Sequence, residues 1–131
     1  MNTSQIDKSP SFVAVSSDAA SIAGEPLAYP NTPDPVISSY ILPIAAGAVT
    51  EWMIHPVPPY IFVLEGTLSV EFAADGQVKK FKQGEAFLQT RSKWHRGRND
   101  TDKPMRFLVV YVGAKDVPTI LHPPLVKTAE R

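Results

Sequence analysis

His55 and His95 are the residues of this chain best able to do chemistry. An imidazole titrates near neutral pH and ligates metals through either ring nitrogen. His55 ends the run VTEWMIH within Gly47 to Gly66, GAVTEWMIHPVPPYIFVLEG, just before the corner Pro56-Val57-Pro58-Pro59. His95 lies in Gly84 to Asn99, GEAFLQTRSKWHRGRN. Side chains two apart on a strand share a face, so a strand over Val49 to His55 puts Glu51, Met53 and His55 together. Without a metal, either imidazole is a general base. The third histidine, His122, sits between Leu121 and Pro123 and reads as a surface residue. There is no cysteine, which excludes disulfides, thiolate catalysis and cysteine-zinc sites.

The elements that must position these residues read as strands. Val36 to Leu42 is rich in β-branched and aromatic residues. Ile61 to Glu65 leads into a turn at Gly66. In Thr67 to Phe72 the apolar Leu68, Val70 and Phe72 alternate with polar neighbours, a half-buried strand. Asp75-Gly76 is a hairpin signal, and Gln77 to Phe81 pairs back. Gln83-Gly84 turns into Ala86 to Thr90, and Met105 to Val112 reads as a strand buried on both faces. Phe12 to Val15 is a candidate edge strand, and Ser16 to Ala23 is the one helix-compatible piece. Four prolines between Glu25 and Pro35 make that stretch an extended arm. Short strands with turn residues between them predict an all-β, single-domain sandwich or barrel. The expected division is an arm at 1–35, a barrel at 36–115 and a tail at 116–131.

The 131 residues carry 13 basic and 13 acidic side chains. That balance favours neither nucleic acid nor an anionic membrane as partner. No run approaches the length of a membrane helix, and no basic start precedes a long apolar stretch, so the expectation is a cytoplasmic protein. Lys79, Lys80 and Lys82, with Arg91, Lys93, Arg96 and Arg98, make the centre basic. They read as a solvated edge, or as an anion-attracting rim near His95.

The two histidine segments resemble the cupin family, whose jelly-roll (double-stranded β-helix) barrel carries the motifs G-x5-H-x-H-x3,4-E-x6-G and G-x5-P-x-G-x2-H-x3-N. The second fits Gly84, Thr90 for the proline, Ser92 for the glycine, His95 and Asn99. In the first, the second histidine falls on His55, the first on Met53, and the glutamate on Pro59 or Tyr60. The resemblance covers about Ile41 to Val112 and implies that both histidines enter one cavity. The usual family site has three histidines and a glutamate. Here it implies a divalent ion (Zn, Fe or Ni) on His55 and His95, with Glu51 as the replacement anionic ligand. Gln89 is a neutral alternative, Met53 a soft one. Met53, Tyr60, Gln89 and Trp94 are the candidate pocket residues, with Trp94 also suited to packing. The implied function is binding of a small organic ligand, with metal-assisted oxygenase-like or isomerase-type chemistry on a carbonyl or enolic substrate. The alternatives are a non-catalytic binding or sensing module with a degenerate, metal-free pocket, and a structural dimer with a vestigial one. A homodimer is expected from the arm, the long apolar strand and the symmetry common among oligomers.

Overall fold

Seven strands follow one another along the chain, and a computed structural model describes residues 9–124. They are β1 (Pro35–Ile44), β2 (Pro59–Glu65), β3 (Thr67–Phe72), β4 (Val78–Lys82), β5 (Ala86–Leu88), β6 (His95–Arg98) and β7 (Met105–Ala114). They form two antiparallel sheets, ordered β1-β7-β2-β5 and β4-β3-β6. The fold is the all-β jelly-roll barrel. Among the described residues there is no helix, hence none long and apolar enough to cross a membrane.

The period of two in β3 turns Leu68, Val70 and Phe72 into the core, where they meet Val63, Met105, Phe107 and Val109 from the other sheet. In β7 the odd residues from Met105 to Gly113 are buried, while most of the even ones are half-covered. The strand therefore has one buried face, and the other is only partly screened. Between β2 and β3 the chain changes sheets at Gly66, whose φ is +79°. A Cβ there would stand 2.6 Å from the Met105 Cβ, so only glycine fits.

Three local expectations are corrected. Val49 to His55 is not a continuous strand. It runs beside β6 through two isolated bridges, Val49 with Arg98 and Met53 with His95. Residues 50–52 between those bridges face only residues 96 and 97, so the segment carries one extra residue, a bulge. Ser16 to Ala23 forms no helix. Its backbone instead closes a turn (Ser21 N to Glu25 O, 2.8 Å) and caps β5 (Ile22 N to Leu88 O, 3.0 Å). Phe12 to Val15 pairs with no strand and lies exposed. Two elements went unanticipated: β6 itself, and the tail, where Ile54 and Leu121 exchange both backbone bonds.

Candidate functional site

A cavity of about 340 Å³ opens inside the barrel. Ile61, Leu68, Val70, Phe107 and Val109 give it apolar walls. Its polar groups come chiefly from His55, His95, Gln89, Thr50 and Tyr111. His55 arrives at the end of the bulged segment and His95 at the start of β6. The bridge between Met53 and His95 locks the two approaches together through bonds of 2.8 and 3.1 Å.

Both imidazoles are buried. His55 Nδ1 lies 2.9 Å from the Thr119 carbonyl, and His95 Nδ1 lies 2.8 Å from the Lys93 carbonyl. A carbonyl only accepts, so a ring proton on each Nδ1 satisfies both carbonyls. The two Nε2 atoms then stand 3.0 Å apart. Burial is the largest influence on both rings and disfavours the charged form. It lowers His55 to about 4 against the raising effect of the Thr119 carbonyl, with His95, Arg91 and His122 adding repulsion. His95 is lowered as well, against its bond to Lys93 and the charge of Glu25. Near neutral pH the pair is uncharged, and two lone pairs face each other. The four ring nitrogens are satisfied together only when one more proton, or a donor from elsewhere, enters between the Nε2 atoms.

The remaining candidates separate. Met53 and Gln89 line the same cavity, with the Gln89 amide oxygen turned to the Thr90 backbone N–H at 3.0 Å. Glu51 does not join them. Its carboxylate is 79% exposed and lies 3.4 Å from His122 Nδ1. The bulge at residues 50–52 breaks the alternation that would have aimed Glu51 inward. Tyr60 points to the opposite side of its sheet, its hydroxyl bonded to the Ser16 hydroxyl of the arm. Trp94 borders a separate surface depression with Phe72, Lys79 and Lys93. Arg96 and Arg98 form no rim to the cavity. Arg96 lies over Trp52 and pairs with Glu71 at 2.8 Å, and Arg98 pairs with Glu71 and Asp100.

Three site residues had no reading in the sequence. Thr119 acts through a backbone carbonyl, which leaves no mark on residue identity. Tyr111 comes within 5.6 Å of His55, ring to ring, and burial pushes its hydroxyl up to about 12, so it stays protonated. Glu25 reaches from the arm to the loop before His95. Its carboxylate accepts from the Thr90 hydroxyl (2.8 Å), the Arg91 N–H (2.9 Å), the Ser92 N–H (2.9 Å) and the Ser92 hydroxyl. Burial alone would raise its pKa. The bonds from Ser92, Arg91 and Ser21 outweigh that and hold it at about 2.

The donor set falls short of a resident divalent ion. Catalytic metal sites hold the ion with three protein ligands and structural ones with four. Here two imidazole nitrogens converge, and Met53, which lines the same cavity, offers only a thioether. No cluster of three His, Cys, Asp or Glu occurs among the described residues.

Solved structures of the same fold include the oxalate decarboxylase of Lactobacillus farciminis, in a formate complex (TM-score 0.56, 22% identity, 66% of this chain, 26% of that one). The Bacillus subtilis oxalate decarboxylase, which has Mn(II) centres, matches similarly (0.55, 22%, 66% and 23%). A polyketide cyclase from Streptomyces resistomycificus matches at 0.55 and 22% identity, over 74% of this chain and 66% of its own. The chain thus spans about a quarter of the length of the oxalate decarboxylases. No curated protein matches the sequence. The cupin domain model matches residues 40–111, more than half of the chain and the whole region that carries the histidine pair, and the chain belongs to the cupin family.

Proposed function

We propose that this cupin binds a small organic molecule inside the barrel, with an apolar body and a hydroxyl or enol group held at the histidine pair. The facing Nε2 lone pairs, 3.0 Å apart and both uncharged, carry this reading. Two buried acceptors with no donor between them are unfavourable, and a ligand O–H relieves the conflict. The cavity volume of about 340 Å³ suits a small molecule, and its walls are mostly apolar. The protonated Tyr111 hydroxyl is available to a second ligand oxygen.

The same arrangement supports proton transfer. A hydroxyl or an enolisable C–H placed at the pair meets an imidazole lone pair, and the proton taken up settles between the two Nε2 atoms. That completes the row carbonyl, imidazole, proton, imidazole, carbonyl with every nitrogen satisfied. Returned to a different carbon of the enolate, that proton completes an isomerisation of a carbonyl or enolic substrate. Metal-assisted oxygenase chemistry would need the third ligand that Met53 does not supply. A second reading, binding or sensing without catalysis, is favoured by that same incomplete set.

Calorimetry with phenol and with anisole tests the binding claim, because the two share a ring and differ in the O–H. Phenol should bind at least about tenfold more tightly, a difference of about 1.4 kcal/mol. His95→Leu should erase the difference; equal affinities in the wild type would sink the reading. Loss of deuterium from α-deuterated acetophenone, seen with the wild type and absent in His55→Leu, separates catalysis from binding alone.

A further inference from the structure

β1 is an edge strand of its sheet, ten residues long, and nearly every residue in it is exposed. Ile37 is 71% exposed, Tyr40 and Ile41 each 56%. An apolar edge of this length is a template for pairing unless something covers it. Pairing with β7 fixes which of its backbone groups are free. Asp34 accepts from Lys115 N at 2.9 Å, and Pro35 stands opposite Ala114. Hydrogen-bonded pairs alternate along an antiparallel ladder, so Val36, Ser38, Tyr40 and Leu42 exchange bonds with β7. The Val36 carbonyl does lie against Gly113, its opposite residue. Pro35, Ile37, Ser39, Ile41 and Pro43 therefore turn their backbone groups outward. Proline has no N–H, so the free donors are Ile37, Ser39 and Ile41, bracketed by a proline at each end.

We infer that this edge pairs antiparallel with the same edge of a second copy, about a two-fold axis at Ser39. Ser39 then faces the partner's Ser39, and Ile37 faces the partner's Ile41. Pro35 faces the partner's Pro43, where neither strand has a donor, so the ladder ends at matching points on both sides. Each free N–H meets a carbonyl. Side chains agree with this register. Apolar Ile37 meets the partner's Ile41, apolar Leu42 lies beside the partner's Val36, and Tyr40 beside the partner's Ser38. A register slipped one step either way sets Ile37 against serine or against proline. The contact is isologous, as a closed two-fold dimer requires, and joins two four-stranded sheets into one. Tyr40 and Leu42 line the ligand cavity while remaining exposed, so the partner's Ser38 and Val36 complete the rim that one chain leaves open.

The chain has no cysteine, so an introduced one is unique. Opposed residues of a hydrogen-bonded antiparallel pair have Cα atoms about 5.5 Å apart, within disulfide reach. Ser39→Cys should form a covalent dimer on mild oxidation, and Ile37→Cys alone should not. The double variant Ile37→Cys/Ile41→Cys should link again. Ser39→Pro removes the central outward donor and leaves the β7 ladder intact, so light scattering should fall from dimer to monomer mass with the circular dichroism spectrum unchanged. If Ser39→Pro fails to fold, the cysteine set still decides. A monomeric wild type at micromolar concentration would overturn the inference, as would Ile37→Cys linking as readily as Ser39→Cys. So would a dimer that survives Ser39→Pro but is lost on deleting residues 1–15, since the exposed Phe12 segment would then be what covers the edge.

Discussion

At His55 the Thr119 carbonyl, and at His95 the Lys93 carbonyl, hold the Nδ1 proton and leave Nε2 as the reactive atom. The sequence motif places both rings because it counts residues along strands that do form. It cannot show the carbonyls that set the tautomers, since any residue supplies one. It also misleads at Glu51, because a one-residue bulge is invisible in a pattern of alternation. Met53 is the position where a third nitrogen would complete a metal site: it lines the cavity and is bridged to His95. Met53→His should raise zinc and nickel affinity at least about tenfold, or 1.4 kcal/mol, at a packing cost of about 1–2 kcal/mol or less. Titration of both proteins with each metal checks this, and equal affinities would mean that residue 53 does not face the pair. The lowered His55 also ties stability to pH. Between its ordinary value of 6.5 and about 4, the unfolded chain binds a proton that the folded chain refuses. The stabilisation is complete above about pH 6.5 and disappears as pH falls through 4. Thermal melts from pH 8 to 4 should show a loss of about 3 kcal/mol from this group, flattened in His55→Leu.

Two short segments owe their shape to single polar side chains. Glu25 ties the arm to the loop of Thr90, Arg91 and Ser92, which leads into His95. Its carboxyl is lowered from 4.5 to about 2, so its contribution is full above about pH 4.5 and is lost as pH falls towards 2. Because the group is partly solvated, that contribution is about 1–2 kcal/mol. Glu25→Gln should lower the melting temperature at neutral pH and remove the acid sensitivity in that window. Asn99 is buried and pins the turn before β7. Its amide donates to the Ile44 and Lys103 carbonyls at 3.0 and 2.7 Å, and its oxygen accepts from Thr101. Asn99→Ala should cost about 2–4 kcal/mol in denaturant unfolding without altering metal or ligand selectivity. β3 and the β3–β4 hairpin were legible because period and turn chemistry agree there. The 49–55 segment and β6 were not, since the first is held by isolated bridges to β6 and Leu121, the second by its ladder to β3, and neither has a clean period alone. The supposed helix at 16–23 failed because its backbone donors serve a turn and the β5 edge.

The whole molecule is a barrel whose apolar cavity lies between two sheets, with its polar groups gathered where the bulged segment meets β6. Fold class was readable from strand spacing and from two motif registers, because a barrel of short strands must place its turns at regular intervals. The arm and tail were read as appendages, yet both reach the site: Glu25 braces the approach to His95, and Thr119 and Ile120 help line the cavity. Such contacts join residues far apart in sequence, and single positions carry no trace of them. A ligand that fills the cavity should therefore stiffen arm, tail and barrel together. Phenol at saturating concentration should raise the melting temperature of the wild type by several degrees and that of His55→Leu by much less.

The ring nitrogens of the histidine pair give the most direct test. In uniformly nitrogen-15-labelled protein at pH 7, His55 and His95 should both show a protonated Nδ1 and a bare Nε2, with the Nε2 resonances shifting on addition of phenol and unmoved by anisole. A proton already on either Nε2 in the free protein, or Nε2 resonances indifferent to phenol, would contradict this arrangement.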